Sequence, residues 1–517
     1  MKKFLPAFLL AAALAFSLAA TQAKPVGEFE EQADVGTPKI PGSVNYEAAR
    51  QEYTFTAAGA NMWAARDEFQ FAWKKTNGDF IVRSRIEFVG PGVDPHRKGG
   101  WIARTSLDHD APYIDGARHA GDGLTSLQFR RTKGGITEQI VLPVKWADVL
   151  QLERRGKTYL FSAAVYGEAF VSAEISDLDL GEEPLVGLFL CSHNADVAET
   201  AIFRDVRVIK PVKVGFTPYR DYIGSKLEIL DVHSGKLETV YQSKEPFEAP
   251  NWTTDGRALI YNISGPGAPT GPNKGRIARF DLATRTPQLL DTGGVNRSNN
   301  DHVLSFDGKM LGISSSGPDP FRSRVWTLPV TGGAPKLITP LAPSYLHGWS
   351  PDGKWIVYTG GRKAPSNPTG PDKLDIYKMS SEGGEEIRLT QSKGMADGSE
   401  YSPDGKWIYY NSTDTGLMQL RRMLPDGTGQ EQVTNDKFNN WFPHISPDGK
   451  WIAFISYAPD ADPADHPYYK HCYLRLMSIE GGPIKTIAYL YGGQGTINVP
   501  SWSPDSRKIA WVSNTDL

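Results

Sequence analysis

The chain has 517 residues and a formal net charge of −3, with charged side chains making up 22% of the sequence. This length favours two domains over a single core, and the charge balance offers no basic surplus that would attract nucleic acid. The 52 glycines and 37 prolines, together with 13 Trp, 21 Tyr and 22 Phe, favour an all-β protein with many turns.

The first 23 residues have the pattern of a secretory signal peptide. Lys2 and Lys3 precede an apolar, alanine-rich run over residues 4–20, and a small-x-small cleavage pattern ends at Ala23. A membrane anchor is the alternative, but the apolar run is short and ends in a cleavage pattern. The sequence therefore predicts a periplasmic or secreted protein that begins at Lys24, and no later stretch is apolar enough to span a bilayer.

Residues 24–45 are predicted to form an extended N-terminal segment, and residues 46–212 a β-sandwich. The run from Phe69 to Trp73 alternates in polarity, and the pair Asn77-Gly78 predicts a tight hairpin to the next strand, residues 80–88. Further short strand patterns follow at short intervals up to Val208, as in two-sheet β proteins.

The order of several short segments in this region resembles that of concanavalin-like jelly-roll domains: residues 77–80, 99–104, 152–155, 187–194 and 203–207. The resemblance implies either carbohydrate binding or a purely structural role. The candidate ligand-binding residues under the first reading are Arg104, Arg130, His193 and Asn194. Under the second reading, the same residues support turns and strand faces.

A repeated motif dominates the rest of the chain. An aromatic or apolar residue precedes Ser-Pro-Asp-Gly-Lys at residues 349–355, 401–407 and 445–451, with degenerate copies at 252–257, 304–309 and 502–507. The repeated aspartates stand 44 to 57 residues apart, a period that suits one four-stranded propeller blade: Asp255, Asp307, Asp352, Asp404, Asp448 and Asp505. Proline, aspartate and glycine at these spacings predict a hairpin turn between the innermost strand of each blade and the next strand.

The sixth repeat has only two strands before Leu517, so the ring must find its last two strands elsewhere. Residues 226–232 and 237–242 form a strand pair upstream of the first repeat. We expect strands 226–242 to pair with the last repeat, which closes the ring and removes its exposed sheet edges. On this reading the chain ends naturally at Leu517.

These six repeats resemble the TolB-type β-propeller over residues 213–517. The resemblance implies a six-bladed ring and leaves function open. TolB proteins carry an N-terminal α/β domain, whereas residues 46–212 here have strand patterns, and this difference weakens a role as a Tol-type envelope scaffold.

Equivalent positions of the repeat should form rings around the central channel, so differences between blades mark sites. Five residues before the repeated aspartate stand His302 and His347, and four residues before it stand Glu400 and His444. The long segment 458–471 of blade five contains His466 and should open on the same face. Blades one and three have long Gly/Pro-rich segments at the matching place, residues 265–276 and 360–373.

Three chemistries follow for this face. His302, His347 and His444 could bind one divalent metal ion, Mn²⁺, Zn²⁺ or Ca²⁺. His466, Lys470 and Glu400 are the candidate acid–base residues. The candidate ligand-binding residues could contact a sugar or a protein. Tyr345 and Trp441 offer aromatic rings, Asp397 offers a carboxylate, and Arg297 and Arg322 offer cations. In the alternative reading the histidines only line the channel.

Three functions remain open at this point. The first is a binding protein that recognises a glycan or an envelope protein on the channel face. The second is a metal-dependent carbohydrate-active enzyme, a lyase or a glycosidase. Related propellers include the oligogalacturonate lyases, whose histidine-rich metal centre neutralises a uronate carboxylate. The third is the Tol-type scaffold.

Overall fold

The structure is a computed structural model that describes residues 25–217, 220–263, 275–316, 322–364 and 367–517. The predicted signal peptide lies outside these ranges. Within them the protein is all-β, and the single helical element is a 3₁₀ turn at Gln494–Thr496. No helix in the described ranges is long and apolar enough to cross a membrane.

The first part of the chain, here called the two-sheet region, contains sixteen strands. They are β1 (Glu31–Val35), β2 (Ser43–Glu47), β3 (Glu52–Gly59), β4 (Met62–Trp63), β5 (Arg66–Asp67), β6 (Phe69–Lys75), β7 (Phe80–Val89), β8 (Lys98–Arg104), β9 (Tyr113–His119), β10 (Thr125–Arg130), β11 (Glu138–Val141), β12 (Val149–Arg155), β13 (Thr158–Ala164), β14 (Val171–Ile175), β15 (Leu185–Cys191) and β16 (Asn194–Ile209).

Fourteen of these strands form two seven-stranded antiparallel sheets, in the orders β1-β6-β15-β8-β9-β10-β11 and β14-β13-β12-β7-β16-β3-β2. Buried side chains of both sheets share one apolar core, with Trp101 and Leu188 from the first sheet and Phe55 and Val82 from the second. The segment predicted as extended, residues 24–45, contains β1 and the start of β2. These are edge strands of the two sheets, because β1 pairs with β6 and β2 pairs with β3.

The predicted hairpin at Asn77-Gly78 was wrong. Strands β6 and β7 on either side of it belong to different sheets, so the turn carries the chain across the core. Gly78 adopts the left-handed φ of +69° that the sequence suggested. The turn is therefore present where the sequence predicts it. Burial of the two strands in the core, and not the turn, decides which strands they pair with.

The second part of the chain, here called the ring, contains the remaining strands. They are β17 (Gly224–Asp231), β18 (Leu237–Ser243), β19 (Phe247–Trp252), β20 (Ala258–Ile263), β21 (Ile277–Asp281), β22 (Thr286–Leu289), β23 (Ser298–Leu304), β24 (Met310–Ser315), β25 (Arg324–Pro329), β26 (Lys336–Leu337), β27 (Ser344–Trp349), β28 (Trp355–Ala364), β29 (Asn367–Ser380), β30 (Ile387–Arg388), β31 (Ala396–Tyr401), β32 (Ile408–Thr415), β33 (Leu417–Met423), β34 (Glu431–Gln432), β35 (Asn439–Ile445), β36 (Trp451–Tyr457), β37 (Lys470–Ser478), β38 (Lys485–Gly492) and β39 (Lys508–Thr515).

Five four-stranded antiparallel sheets form blades one to five, from β19–β22 to β35–β38, and the sixth blade closes the ring. As predicted, β17 pairs with β39 and with β18, with Leu227 opposite Val512. The innermost position of blade six is taken by the segment around Trp502, which forms a bridge to Ile509. The six-bladed propeller predicted from the repeat is confirmed, including its closure by residues 226–242.

The repeat motif forms the predicted hairpin turn in each blade. In blade three the Asp352 carboxylate accepts hydrogen bonds from Ser350 Oγ (2.6 Å) and from the Lys354 amide (3.1 Å). Gly353 takes the left-handed φ of +71° that this turn requires. In the sixth copy Ser506 replaces glycine and still adopts a φ of +60°.

The aromatic residue that opens the motif joins neighbouring blades. Trp349 of blade three donates its indole N–H to the Val303 carbonyl of blade two at 3.0 Å. Trp502 of blade six donates to the His444 carbonyl of blade five at 3.1 Å. A buried indole needs such an acceptor, so in these two copies the motif specifies a contact between blades as well as the turn within the blade.

The sequence predicts three long segments on one face, and two of them are not seen as irregular loops. Most of residues 265–276 lie outside the described residues. Residues 360–373 do not form an irregular loop, because β28 and β29 continue to pair out to Lys363 and Asp372. The blade-five segment, residues 458–469, is a long irregular connection between the paired strands β36 and β37.

The two-sheet region packs against blades five and six through buried polar and aromatic contacts. Arg207 Nε donates to Glu228 Oε1 at 2.7 Å, with both side chains almost fully buried. Tyr489 Oη donates to the Glu168 carbonyl at 2.6 Å. These contacts fix the ring relative to the two-sheet region, since breaking a buried ion pair leaves an uncompensated charge.

Candidate functional site

Three consecutive blades each contribute one residue to a bonded unit at the channel. Asp397, at the start of β31 in blade four, accepts from His347 Nε2 of blade three at 3.0 Å through Oδ1. Its Oδ2 lies 2.9 Å from Nε2 of His466 in blade five. Thr359 Oγ1 and the Gly398 amide also donate to Oδ1, at 2.7 and 2.8 Å. We call His347, Asp397 and His466 the channel triad.

Asp397 and His347 are buried, and the electrostatics of the triad favour an ion pair between them. Burial alone would raise the pKa of Asp397, but the hydrogen bonds and charges of His347 and His466 hold it well below its usual range. Burial alone would lower the pKa of His347, yet Asp397 raises it above the ordinary value. The arrangement therefore favours an ionised Asp397 carboxylate, which stabilises the protonated form of His347.

His466 connects the triad to solvent. Its side chain is 24% exposed, against 5% for His347 and 6% for Asp397. Its ring packs on Trp441, with centroids 4.9 Å apart. The following residues of the same segment are held by the chain that leaves the two-sheet region, because Tyr469 contacts Phe216 edge to face. Docking of the two parts thus positions the loop that carries His466.

A second carboxyl lies beside the triad with the opposite electrostatic behaviour. Asp301 of blade two accepts from Asn498 Nδ2 of blade six at 2.9 Å. Burial raises the pKa of Asp301 and the nearby Asp397 adds to this effect, while His347 and His466 oppose it. The channel therefore contains two carboxyls whose pKa values are shifted apart, an arrangement that acid–base chemistry uses.

Glu400 and His444, two further candidates on the channel face, form hydrogen bonds to neighbouring blades. Glu400 Oε1 accepts the backbone amide of Ile445 at 3.0 Å, as Asn251 Oδ1 accepts that of Leu304 at 3.0 Å at the equivalent position. His444 lies with Nδ1 2.7 Å from Glu400 Oε2 and Nε2 2.7 Å from the Ile497 carbonyl. Two acceptors on one ring require two N–H groups or a proton on Glu400.

His302 is a buried residue of the blade interior. Its Nε2 lies 3.1 Å from the Ile260 carbonyl of blade one, and burial lowers its pKa to about 4. Among the described residues, no set of three ligand atoms that includes two of His302, His347 and His444 lies within 4.8 Å. The structure thus separates the three histidines for which the sequence suggested a Mn²⁺, Zn²⁺ or Ca²⁺ site.

The family profile PD40, described as the TolB beta propeller domain, matches residues 349–462. An uncharacterized protein of Agrobacterium fabrum is 43% identical over 289 residues, which are 56% of this chain and 92% of that protein. The chain belongs to the TolB-like β-propeller family.

Two further relatives agree with this membership. The solved structure of a putative TolB from Agrobacterium tumefaciens has 41% sequence identity and a TM-score of 0.52, and the match covers 57% of this chain and 100% of that one. The Tol-Pal system protein TolB of Francisella tularensis subsp. tularensis is 25% identical over 298 residues, which are 57% of this chain and 62% of that protein.

The remaining predicted binding residues of this TolB-like chain fall into two groups. Trp441 is buried at 1% exposure and supports His466 from beneath. Arg297, Arg322 and Lys470 are exposed, and Tyr345 is half-buried at the second position of β27. The exposed Arg and Lys side chains can contact a ligand without removing water from the channel. Trp441 can affect ligand binding only through the ring of His466, which it contacts.

In the two-sheet region, Arg104 and Arg130 have structural roles. Both side chains are fully buried, and Arg130 binds Asp67 through two hydrogen bonds of 2.8 Å. Arg104 lies 3.4 Å from the same carboxylate. Their assignment to a carbohydrate site is therefore not supported, while the resemblance of this region to concanavalin-like jelly rolls stays a prediction.

Sequence reasoning missed Thr359, which donates to Asp397 from the second strand of blade three. It also missed the cleft of about 910 Å³ between the two-sheet region and the ring, which Arg85 and Asp148 line from one side and Lys236 from the other. Neither carries a sequence signal, because the repeat marks innermost strands and turns, and the cleft exists only once the two parts are docked.

Proposed function

We propose that this chain is an exported binding protein of the cell envelope whose ring recognises a protein ligand at the mouth of the channel. Family membership supports a TolB-like role, and relatives are described as Tol-Pal system proteins. The signal-peptide pattern of residues 1–23 supports export and a periplasmic or secreted location. A glycan remains the competing ligand.

The observation that carries this proposal is the way in which the channel triad reaches solvent. Three blades converge on one carboxylate, and only His466 of the three residues is substantially exposed. Exposed Lys470 begins β37, directly after the segment that carries His466, and exposed Arg297 directly precedes β23, the innermost strand of blade two. An anchor with a packed base and a charged rim is typical of protein recognition sites.

The triad itself is better suited to positioning than to binding a metal. Asp397 Oδ1 already accepts three hydrogen bonds, and Oδ2 accepts one from His466. A metal ion at this carboxylate would have to displace them. We therefore assign His347 and Asp397 to holding the imidazole of His466 in one orientation toward the ligand, as carboxylates do for histidines elsewhere.

The second candidate is a carbohydrate-active enzyme, and one observation favours it. Asp301 and Asp397 have pKa values shifted in opposite directions in the same channel. A glycosidase could use Asp301 as the proton donor, with Glu400 and His466 as the other predicted acid–base residues. This candidate predicts turnover, which binding alone does not.

The test compares two probes on the purified full-length mature chain. The first probe is the soluble domain of the Pal protein from the same organism, measured by titration calorimetry. The second is a panel of oligogalacturonates and neutral oligosaccharides, measured for binding and for released product. We expect 1:1 binding of the Pal domain that weakens at least tenfold in His466→Ala.

The control variant is Asp352→Asn, in a repeat turn of blade three, which should bind the Pal domain as the wild type does. Failure of the Pal domain to bind would refute the proposal in its Tol-Pal form. Saturable oligosaccharide binding that His466→Ala abolishes would replace the protein ligand by a glycan, and product release lost in Asp301→Asn would establish the enzyme.

A further inference from the structure

A second group of histidines and aspartates lies far from the channel, at one edge of the two-sheet region. Strands β15, β8 and β9 are neighbours in the first sheet, and their register places Cys191 beside Lys98 and Lys98 beside His119. The connections that begin or end at these neighbouring strand ends therefore lie side by side. They carry Asp94 and His96 before β8, Asp122 after β9, and His193 after β15.

The spacing of three ligand atoms in this group fits a bound ion. Asp94 Oδ1 lies 3.4 Å from His96 Nδ1 and 3.4 Å from His193 Nδ1. All three atoms lie within 4.8 Å of one another. A tetrahedral metal ion with bonds of about 2.0–2.2 Å holds its ligand atoms about 3.3–3.6 Å apart. By contrast, direct N–H···O bonds are usually about 2.7–3.2 Å long.

We propose that Asp94, His96 and His193 bind one divalent transition-metal ion of the Zn²⁺ type. Two imidazoles and one carboxylate favour Zn²⁺ over Ca²⁺ or Mg²⁺, which prefer all-oxygen sites. Three protein ligands leave the fourth tetrahedral position to water or to a ligand atom. The side chain of His96 is 51% exposed, so an ion can reach the site from solvent.

A further layer of residues supports the ligands. Asp122 Oδ2 lies 3.9 Å from His96 Nε2, and Asp122 Oδ1 lies 3.2 Å from Nδ1 of the buried His119. The rings of His96 and His193 lie 5.3 Å apart, and those of His96 and His119 lie 5.5 Å apart. A carboxylate behind a metal-binding histidine is the arrangement that fixes its tautomer and orientation.

The local charges agree with this assignment. The nearby ammonium group of Lys98 is engaged elsewhere, because it donates to the Met62 carbonyl at 3.0 Å and to Gln128 Oε1 at 2.9 Å. Asp94 and Asp122 supply two carboxylates against the charge of the ion.

His193 also has an unusual backbone conformation that places its ring. Its φ is +59°, in the left-handed region, directly after the end of β15. This turn brings Nδ1 toward Asp94 in the connection between β7 and β8. Substitution by asparagine tolerates the same backbone, so His193→Asn removes the ligand without disturbing the turn.

The experiment uses the full mature chain after dialysis against a chelator, titrated with Zn²⁺ alone and with Co²⁺ as a spectroscopic probe. We expect one equivalent to bind, a visible Co²⁺ spectrum of tetrahedral type, and a higher melting temperature with metal. His96→Ala and His193→Asn should each weaken binding by tenfold or more, and Asp122→Asn by roughly tenfold. His109→Ala, an exposed histidine of the same region, is the matched control.

Melting curves of the metal-free variants show whether each one folds. Because His96 lies on an exposed connection, His96→Ala tests the ligand set without changing a buried side chain. Absence of a stoichiometric site would overturn the proposal. So would binding that survives in both His96→Ala and His193→Asn, or binding that is lost in His109→Ala or in His466→Ala of the channel.

Discussion

Asp397 and Asp94 each stand between two histidines, and the two groups differ in how closely the atoms approach. In the channel, Asp397 meets His347 and His466 at 3.0 and 2.9 Å and is almost fully buried. At the edge of the two-sheet region, Asp94 meets His96 and His193 at 3.4 Å and is partly exposed. The first group is closed by its own hydrogen bonds, whereas the second leaves room for an ion.

This difference shows that residue types alone do not define a metal site. The channel has more histidines in the sequence pattern, yet its imidazoles donate directly to a carboxylate or face backbone carbonyls. A metal ion would have to replace those hydrogen bonds in a buried environment. At the edge of the two-sheet region, Asp94 Oδ1 accepts the His96 backbone amide at 2.8 Å and lies 3.4 Å from the Nδ1 atoms of His96 and His193.

The largest expected contrast is the effect of removing each aspartate on stability. Asp397→Ala leaves two histidines of the channel without their acceptor, and we expect it to lower the free energy of unfolding by about 3–5 kcal/mol. Asp94→Ala in the metal-free protein should cost less than about 1 kcal/mol, because it removes only a partly exposed turn contact. Urea denaturation of both variants checks this contrast, and equal losses would contradict it.

The pH dependence of His119 gives the next contrast. Burial lowers the pKa of His119 to about 4, so the folded state favours the neutral ring. Its contribution to stability is complete above the unfolded value of about 6.5 and is lost as the pH falls toward 4, by on the order of 3 kcal/mol. Denaturation of the chelated wild type and of His119→Asn between pH 4 and 7 should show this loss only in the wild type.

The channel triad should show the opposite sign. The pKa of His347 is raised by Asp397, so the stabilisation is complete below about pH 6.5 and is lost as the pH rises through the folded-state pKa. The difference in unfolding free energy between the wild type and His347→Gln should therefore shrink from pH 6 to pH 9. An advantage of the wild type that grows with pH would show that His347 is neutral in the folded protein.

The smallest expected effect on stability is at the rim of the channel. Arg297→Ala and Arg322→Ala change exposed side chains and should alter the free energy of unfolding by no more than about 0.5 kcal/mol. Under the proposed function, each should still weaken ligand binding, and more at low salt than at high salt, because exposed charges are screened. Calorimetry at two salt concentrations separates this rim effect from the loss of the His466 anchor.

The sequence by itself determined the ring. Six copies of a turn motif, each with its aspartate after a leading aromatic or apolar residue and five of them with glycine, specify the local turns, so the blade count and the closing strands could be predicted. It also placed Asp397 and His347 on one face, because equivalent positions of a repeat occupy equivalent places in space. His466 was placed there because the long segment of blade five should open on the same face.

Tertiary structure decided which of those residues meet. His302, His444 and His347 occupy similar repeat positions but contact different partners. His302 faces a carbonyl of the preceding blade, His444 contacts Glu400 and His347 contacts Asp397. A shift of one residue or a different neighbouring side chain decides the partner in each case. The Asn77-Gly78 turn likewise joins two sheets because burial of the flanking strands outweighs the local preference for a hairpin. The edge group depends on strand register alone: Asp94 and His193 are 99 residues apart in sequence, and only the pairing of β15 with β8 brings them together.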